Sequence, residues 1–295
     1  MKADVLPYLR CTICGEKLAA AGGGPQPRAL RCPAGHSFDI ARQGYVHLGT
    51  GRSPHAGDSP EMVAARADFL AAGHYDVISA ALAQAAREHT AGEHTAGEHG
   101  GGGLVVDVGA GTGRHLGAVL DALPGAVGLA LDVAKPALRR AARAHPRAGA
   151  ALCDTWRRLP LADGGTDLLL NVFAPRNGVE FRRVLRPDGL LLVVTPEPDH
   201  LTELVAQLGL LTVDPDKPGR LATSLGPGFA PAGDAVHRWR LRLGREHVKA
   251  LVGMGPSAWH TAPAELAARL ATLPEETAVT AAVRLRRYRT HADRS

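Results

Sequence analysis

Eight residues near position 110 constrain this chain more than any other feature: Val106-Asp107-Val108-Gly109-Ala110-Gly111-Thr112-Gly113. A short apolar run enters glycines at alternate positions and leaves into a helical pattern over Gly113–Leu123. Glycine permits the tight turn and lets a ligand lie against bare backbone. The pattern predicts a strand, a loop and a helix that together cradle a nucleotide-like ligand. Two details depart from a dinucleotide fingerprint. The third glycine comes one residue earlier than in G-x-G-x-x-G, and a carboxylate, Asp107, sits two residues before the first. A carboxylate at the strand end suits a cation better than a pyrophosphate.

S-adenosylmethionine (AdoMet) has that chemistry: no phosphate, a sulfonium and an ammonium. Asp132 closes the next apolar run, Leu129-Ala130-Leu131-Asp132, where a carboxylate can accept hydrogen bonds from both ribose hydroxyls. Its plainer reading is a helix cap, because Val133-Ala134-Lys135-Pro136 opens a helix. Asp154 ends the third run, in the place for an adenine amino group. Three acids on successive strand ends beside a glycine loop favour AdoMet over a nicotinamide cofactor.

From Leu104 onward, strand and helix patterns alternate. Strands are expected at Leu104–Val108, Val127–Leu131, Ala150–Cys153, Asp167–Phe173 and Leu190–Thr195. Helices are expected from Lys135 to about His145, at Val179–Leu185 and at His200–Leu208. Apolar strands separated by helices indicate a parallel sheet covered on both faces. Val236–Leu243 alternates strictly, with Arg238, Arg240 and Arg242 on one face, and Val279–Tyr288 reads as another strand. Joined by a helix around Pro263–Leu273, these two could add an antiparallel edge. The fold class is α/β: a Rossmann-like class I AdoMet methyltransferase domain over 104–295. Ahead of it, 53–103 holds a helix over Asp58–Arg87, interrupted at Gly73, and a Gly/His-rich stretch with a tandem Thr-Ala-Gly-Glu-His repeat. The repeat reads as a flexible linker rather than a metal site.

The first 52 residues differ in kind. Cys11-x-x-Cys14 and Cys32-x-x-x-His36 supply four ligands in two close pairs, suited to a tetrahedral, structural zinc. A segment this short, with so little core, needs such a staple. The fourth cysteine, Cys153, reads as a small buried residue. Charge is uneven over the 295 residues: the net +5 combines +4 in each of 1–52, 236–249 and 284–295 with −7 elsewhere. Basic extremities on an acidic body suggest a polyanionic partner, so 1–52 is read as a zinc-binding, RNA-recognition module. No run is long enough to span a bilayer and the first residues do not resemble a signal peptide; the expected location is cytoplasmic.

Several segments resemble the RlmA-type 23S rRNA (guanine-N1)-methyltransferases. They are Cys32–Val46, Gly57–Met62 with Arg66, Phe69-Leu70 and Gly73-His74-Tyr75, Asn171–Pro175, Thr195–Leu201 and Met254–Trp259. The likeness runs nearly the whole chain in order, and is greatest to the branch that confers resistance to the macrolide tylosin. It implies AdoMet contacts from Tyr75, Gly111, Thr112 and His200, a 23S rRNA substrate and a homodimer. Thr112 departs from the family, which often has an acid there. Plainer readings are that Tyr75 packs as core and His200 caps a helix.

Guanine N1 carries a proton at neutral pH, so methylation there requires an extruded base, in-line placement and loss of that proton. Phe173 is the expected stacking surface, or else core, and Asn171 the expected contact to the Watson–Crick edge, through its amide or its backbone. Asp154, Glu61 and Asp58 are all conceivable proton acceptors. Two other functions fit less well: a small-molecule methyltransferase, for which the zinc module and basic ends are superfluous, and a non-catalytic zinc RNA-binding protein, for which the glycine loop is superfluous.

Overall fold

The computed structural model describes residues 1–22, 27–49, 57–93, 103–210, 217–255 and 263–290. A 3-10 turn, Ala3–Tyr8, precedes a small antiparallel sheet of β1 (Ala19–Ala21), β2 (Ala29–Arg31) and β3 (Ser37–Asp39). The next strand, β4 (Val46–His47), leaves that sheet for the main one. Helix α1 (Pro60–Ala71) opens with Ser59 accepting from the Met62 N–H and with proline in its first turn. Gly73, at φ 79°, makes the break before α2 (Asp76–Glu93). Thr90–Glu93 of the first copy are thus helical rather than linker; His94, the second copy and the glycines at 100–102 lie outside the described residues.

The main unit then alternates: β5 (Leu104–Val108), α3 (Arg114–Ala122), β6 (Val127–Asp132), α4 (Lys135–Ala141), β7 (Ala148–Leu152), β8 (Thr166–Val172), α5 (Gly178–Val184) and β9 (Leu185–Pro196). Helices α6 (Thr202–Leu208) and α7 (Lys217–Leu225) lead to β10 (Phe229–Gly244), and α8 (Arg245–Gly253) and α9 (Pro263–Ala271) lead to β11 (Glu276–Thr290). The eight strands lie in the order β10-β11-β9-β8-β5-β6-β7-β4. β11 runs antiparallel to both its neighbours, β9 and β10. The expected antiparallel pair exists, but its edge is β10, with β11 inserted one place inside. Two helices rather than one connect them. All five residues of β5 and of β7 are buried, as strands covered on both faces require.

One face of the sheet packs Val105, Ala130, Leu168 and Leu192 against α2, α3 and α4. The other face packs Val106, Leu129, Leu169 and Leu191 with Phe181 and Leu221, and with Val5, Leu9, Leu30 and Phe38 of the N-terminal segment. Leu9 bridges to Leu161, and Val46 pairs with Ala151. The N-terminal segment therefore shares one hydrophobic core with the sheet and contributes its outermost strand. The 52/53 boundary itself falls outside the described residues. Strand order reverses between β5 and β8, and ligands of open α/β sheets bind at the carboxyl ends beside such a reversal.

Candidate cofactor site and zinc centre

At the carboxyl end of β5, Gly109, Gly111 and Gly113 all have left-handed backbones, with φ of 77°, 54° and 78°. The Gly109 and Ala110 N–H groups both donate to the Leu131 carbonyl, at 2.8 and 3.0 Å, tying the loop to the end of β6. A Cβ on Gly109 would lie 2.4 Å from that of Ala174, so only glycine lets the loop after β8 close over this turn. Thr112 is half-buried beside them.

Asp132 uses both oxygens on the backbone: Oδ2 accepts from the Gly111 N–H and Oδ1 from the Ala134 N–H, each at 2.8 Å. It is not the helix cap, which is Ala134. Each oxygen keeps a second lone pair for a ribose hydroxyl. Asp107 is the reverse case. It is buried, and its Oδ1 has no hydrogen-bond partner among the described residues. Burial, with the Asp132 charge second, pushes its carboxyl up to about 8. An orphaned, buried carboxylate oxygen beside bare glycine backbone is a donor set suited to a cationic nucleoside. Asp154 is buried just past β7, with Oδ1 accepting from the Trp156 N–H at 3.0 Å.

Tyr75, at the head of α2, and His200, past β9, meet within this end of the sheet, with Tyr75 Oη and His200 Nε2 3.2 Å apart. The Ala282 N–H donates to His200 Nδ1 at 3.1 Å, so the ring proton resides on Nε2 and is donated to the tyrosine oxygen. The phenolic proton of Tyr75 is left to donate elsewhere. Burial pushes the Tyr75 phenol up, keeping it neutral. Phe69 and Trp239 stand edge-on to Tyr75, with centroids 5.0 and 6.0 Å away. Phe173 lies 6.2 Å from both Tyr75 and His200. It is 45% exposed and holds φ at 52°, a strained conformation for an aromatic residue. Phe173 is therefore no core residue.

Asn171 uses only half of its amide within the fold. It is fully buried, and its Nδ2 donates to the carbonyls of Val108 and Pro175 at 3.3 and 2.9 Å. Its Nδ2 joins β5 to the loop after β8, while its Oδ1, buried, has no hydrogen-bond partner among the described residues and is left as an acceptor. Two of the acids considered as proton acceptors are also occupied. Asp58 pairs with Arg66, which also donates to the Met254 carbonyl at 2.9 Å. Glu61, exposed, has its carboxyl held low by the Ser59 hydroxyl. Arg66 enters the sequence reading only through the family resemblance, with no place at the site; it lies over Gly111, whose added Cβ would be 3.5 Å from the guanidinium.

Cys11, Cys14, Cys32 and His36 converge, their ligand atoms all within 4.8 Å of one another. Cys14 and Cys32 sulfurs are 3.6 Å apart, and His36 Nδ1 lies 3.6 Å from Cys11 and 3.4 Å from Cys32. A tetrahedral zinc with Zn–S about 2.3 Å and Zn–N about 2.0 Å sets these separations near 3.8 and 3.6 Å, so the residues fit the ion. The two ligand pairs are built alike. The Gly15 N–H donates to the Cys11 carbonyl and the Gly35 N–H to the Cys32 carbonyl, both glycines having positive φ.

The arrangement defines a class I AdoMet-dependent methyltransferase with a structural zinc ribbon. The family models agree: "RlmA, N-terminal" matches residues 9–48 and "Methyltransferase domain" residues 106–193. A 23S rRNA (guanine(748)-N(1))-methyltransferase from Streptomyces fradiae is 50% identical over 93% of this chain and 94% of its own. A Micromonospora griseorubida protein, provisionally assigned as a 23S rRNA (guanine-N1)-methyltransferase, is 67% identical over 98% and 99%. A Bacillus subtilis protein with the same provisional assignment is 30% identical over 85% and 86%. The chain belongs to the 23S rRNA (guanine-N1)-methyltransferase family.

Proposed function

We propose that this chain methylates N1 of a single guanine in a hairpin loop of 23S rRNA lining the peptide exit tunnel, guanine 748 as in the Streptomyces fradiae relative, and so confers resistance to tylosin. The observation carrying this reading is that an intact glycine-loop site and a four-ligand zinc cluster share one core with a chain 50% identical to that relative over nearly its whole length. The site of action is then the cytoplasm. A homodimer, carried over from the family, is checked by sedimentation.

In this reading Gly109, Gly111, Thr112 and Gly113 pass the cofactor against bare backbone. Asp107 takes its cationic end, Asp132 the ribose and Asp154 the adenine, while Tyr75 and His200 cover it. The bound cofactor supplies an electrophilic methyl group. Phe173, exposed and held by its strained backbone, stacks on the extruded guanine. N1 sheds its proton as its bond to the methyl carbon forms and the sulfur–methyl bond breaks, leaving a neutral thioether. With Asp154 at the adenine, Asp58 on Arg66 and Glu61 on Ser59, the proton is assigned to none of the three candidate acids.

Primer extension tests this. After incubation of unmethylated 23S rRNA with enzyme and labelled AdoMet, N1-methylguanine blocks pairing, and reverse transcriptase should halt one nucleotide before position 748. Label entering only small metabolites would end the RNA reading. A halt elsewhere would move the target, and unchanged tylosin sensitivity of an expressing strain would end the resistance reading.

A further inference from the structure

Trp156-Arg157-Arg158 is an exposed triplet set between buried neighbours, Ala151–Thr155 before it and Leu159–Leu161 after it. Trp156 is 53% exposed; with Phe173 it makes up the large exposed aromatics among the described residues. Single exposed apolar side chains are ordinary. Here the backbone that carries it is fixed on both sides. Asp154 Oδ1 accepts the Trp156 N–H, and Asn177 Nδ2 donates to the Thr155 carbonyl at 3.0 Å. Glu180 accepts the Leu159 N–H at 2.7 Å, and Arg183 donates to the carbonyls of Leu159 and Leu161. Helix α5 thus clamps the backbone on the far side of the triplet, whose three residues are exposed, Arg158 reaching Asp163 at 3.4 Å.

The triplet also joins the two regions that the RNA reading needs. On one side, Asp154 ends the third strand of the cofactor crevice. On the other, the Arg10 N–H donates to the Pro160 carbonyl at 3.0 Å, one residue before the first zinc ligand, and Arg10 bridges to Lys17. An exposed indole on a fixed backbone, followed by two arginines and set between a base-modifying crevice and a cationic ribbon, has the composition of a single-stranded RNA platform. Bases stack on the aromatic face while cations follow the backbone.

We propose that Trp156 is a positioning residue, on which an unpaired base flanking the target guanine stacks during extrusion. This rests on the RNA reading above. The test compares wild type, Trp156→Ala and Trp156→Phe on a transcript of the 23S rRNA hairpin containing guanine 748. Stacking on aromatic residues predicts that Trp156→Ala raises KM for the transcript by about tenfold or more, with kcat changed less, while Trp156→Phe keeps most of the affinity. AdoMet affinity and melting temperature should match wild type in both variants. Equal KM for all three proteins overturns the proposal. So does a fall in melting temperature or AdoMet affinity that accounts for the loss, since the indole is then only structural. Failure of wild type itself to bind or methylate the transcript strikes the RNA reading instead, and is separated from the Trp156 result by that control.

Discussion

The ribbon segment 1–52 and the β10 segment 236–249 carry the same formal charge, +4 each, yet the fold disposes of it in opposite ways. In the ribbon, Lys17, Arg28, Arg31 and Arg42 are exposed and have no acidic partner among the described residues. On β10 and β11, Arg238 pairs with Asp199 and Glu197, Arg240 with Glu203, Arg242 with Glu276, Arg284 with Glu197 and Asp234, and Arg287 with Glu88. The strand edge that looked like a polyanion surface in the sequence is a lattice of internal ion pairs. Charge counted along a chain measures attraction for a partner only where the fold has left it unpaired. The same contrast holds inside the crevice. Asp132 has both oxygens engaged by backbone N–H groups, whereas Asp107 keeps one without a partner.

The largest expected effect probes whether the ribbon is a separable module. Its Val5, Leu9, Leu30 and Phe38 belong to the core under the sheet, so loss of zinc should be felt throughout. With a chelator, or in Cys32→Ser, thermal unfolding followed by circular dichroism should shift down by roughly 10 °C, about 3 kcal/mol for a chain this size. RNA methylation should be abolished. An unchanged melt with only RNA binding lost would make the ribbon an independent appendage.

Next comes the charge contrast itself. Each lost phosphate contact should flatten the dependence of log affinity on log salt by about 0.7–0.9. We expect the double variant Arg28→Ala/Arg31→Ala to lose close to two such contacts on the 748 transcript, and Arg240→Ala/Arg242→Ala to lose none. Equal slopes for the two pairs, by filter binding between 50 and 200 mM salt, would erase the distinction.

This contrast also marks where the sequence stops being legible. The glycine loop, the zinc ligands and the strand–helix alternation are local patterns and were readable. So was the alternation of β10, but the acids that neutralise it lie 34 to 39 residues away, on β11 and in the segment after β9. β4 was invisible because two residues carry no period. α8 was missed although Val248, Leu251 and Val252 have helical spacing; its charged residues drew attention as a basic patch instead. That Asn171 turns its Nδ2 to Val108 and Pro175 and leaves its Oδ1 without a partner among the described residues is likewise set by tertiary placement, which no local pattern carries.

Inside the crevice, the unpaired carboxylate predicts a pH dependence. Asp107 sits near 8 in the folded chain against 3.8 ordinarily. Between those values the native state holds a proton that the unfolded chain has shed, so the free protein loses stability as pH rises through this window. A cationic ligand prefers the ionised form. AdoMet affinity should therefore climb with pH, by at most about tenfold per unit, and level off above about 8. Asp107→Asn should bind more weakly, with a flat profile between pH 6 and 9 in calorimetry. A wild-type profile equally flat would place the cation elsewhere.

The smallest effect separates pairing from position. Glu197 is nearly buried and holds both Arg284 and, at 3.7 Å, Arg238. Glu197→Gln keeps the shape and removes the charge. Breaking this partly screened pair should cost on the order of 1 kcal/mol, a shift of about 2–4 °C in melting temperature. It also leaves Arg284 with Asp234 alone and takes the second acid from Arg238, whose two hydrogen bonds to Asp199 remain, so the strand pair gains one unit of positive charge. If pairing alone silences this edge, non-specific RNA affinity should rise a few-fold at 50 mM salt and return to wild type at 200 mM. If affinity stays constant at low salt while the melt shifts, the β10–β11 edge faces away from the RNA path, and the ribbon's advantage is its placement beside the crevice rather than its unpaired charge.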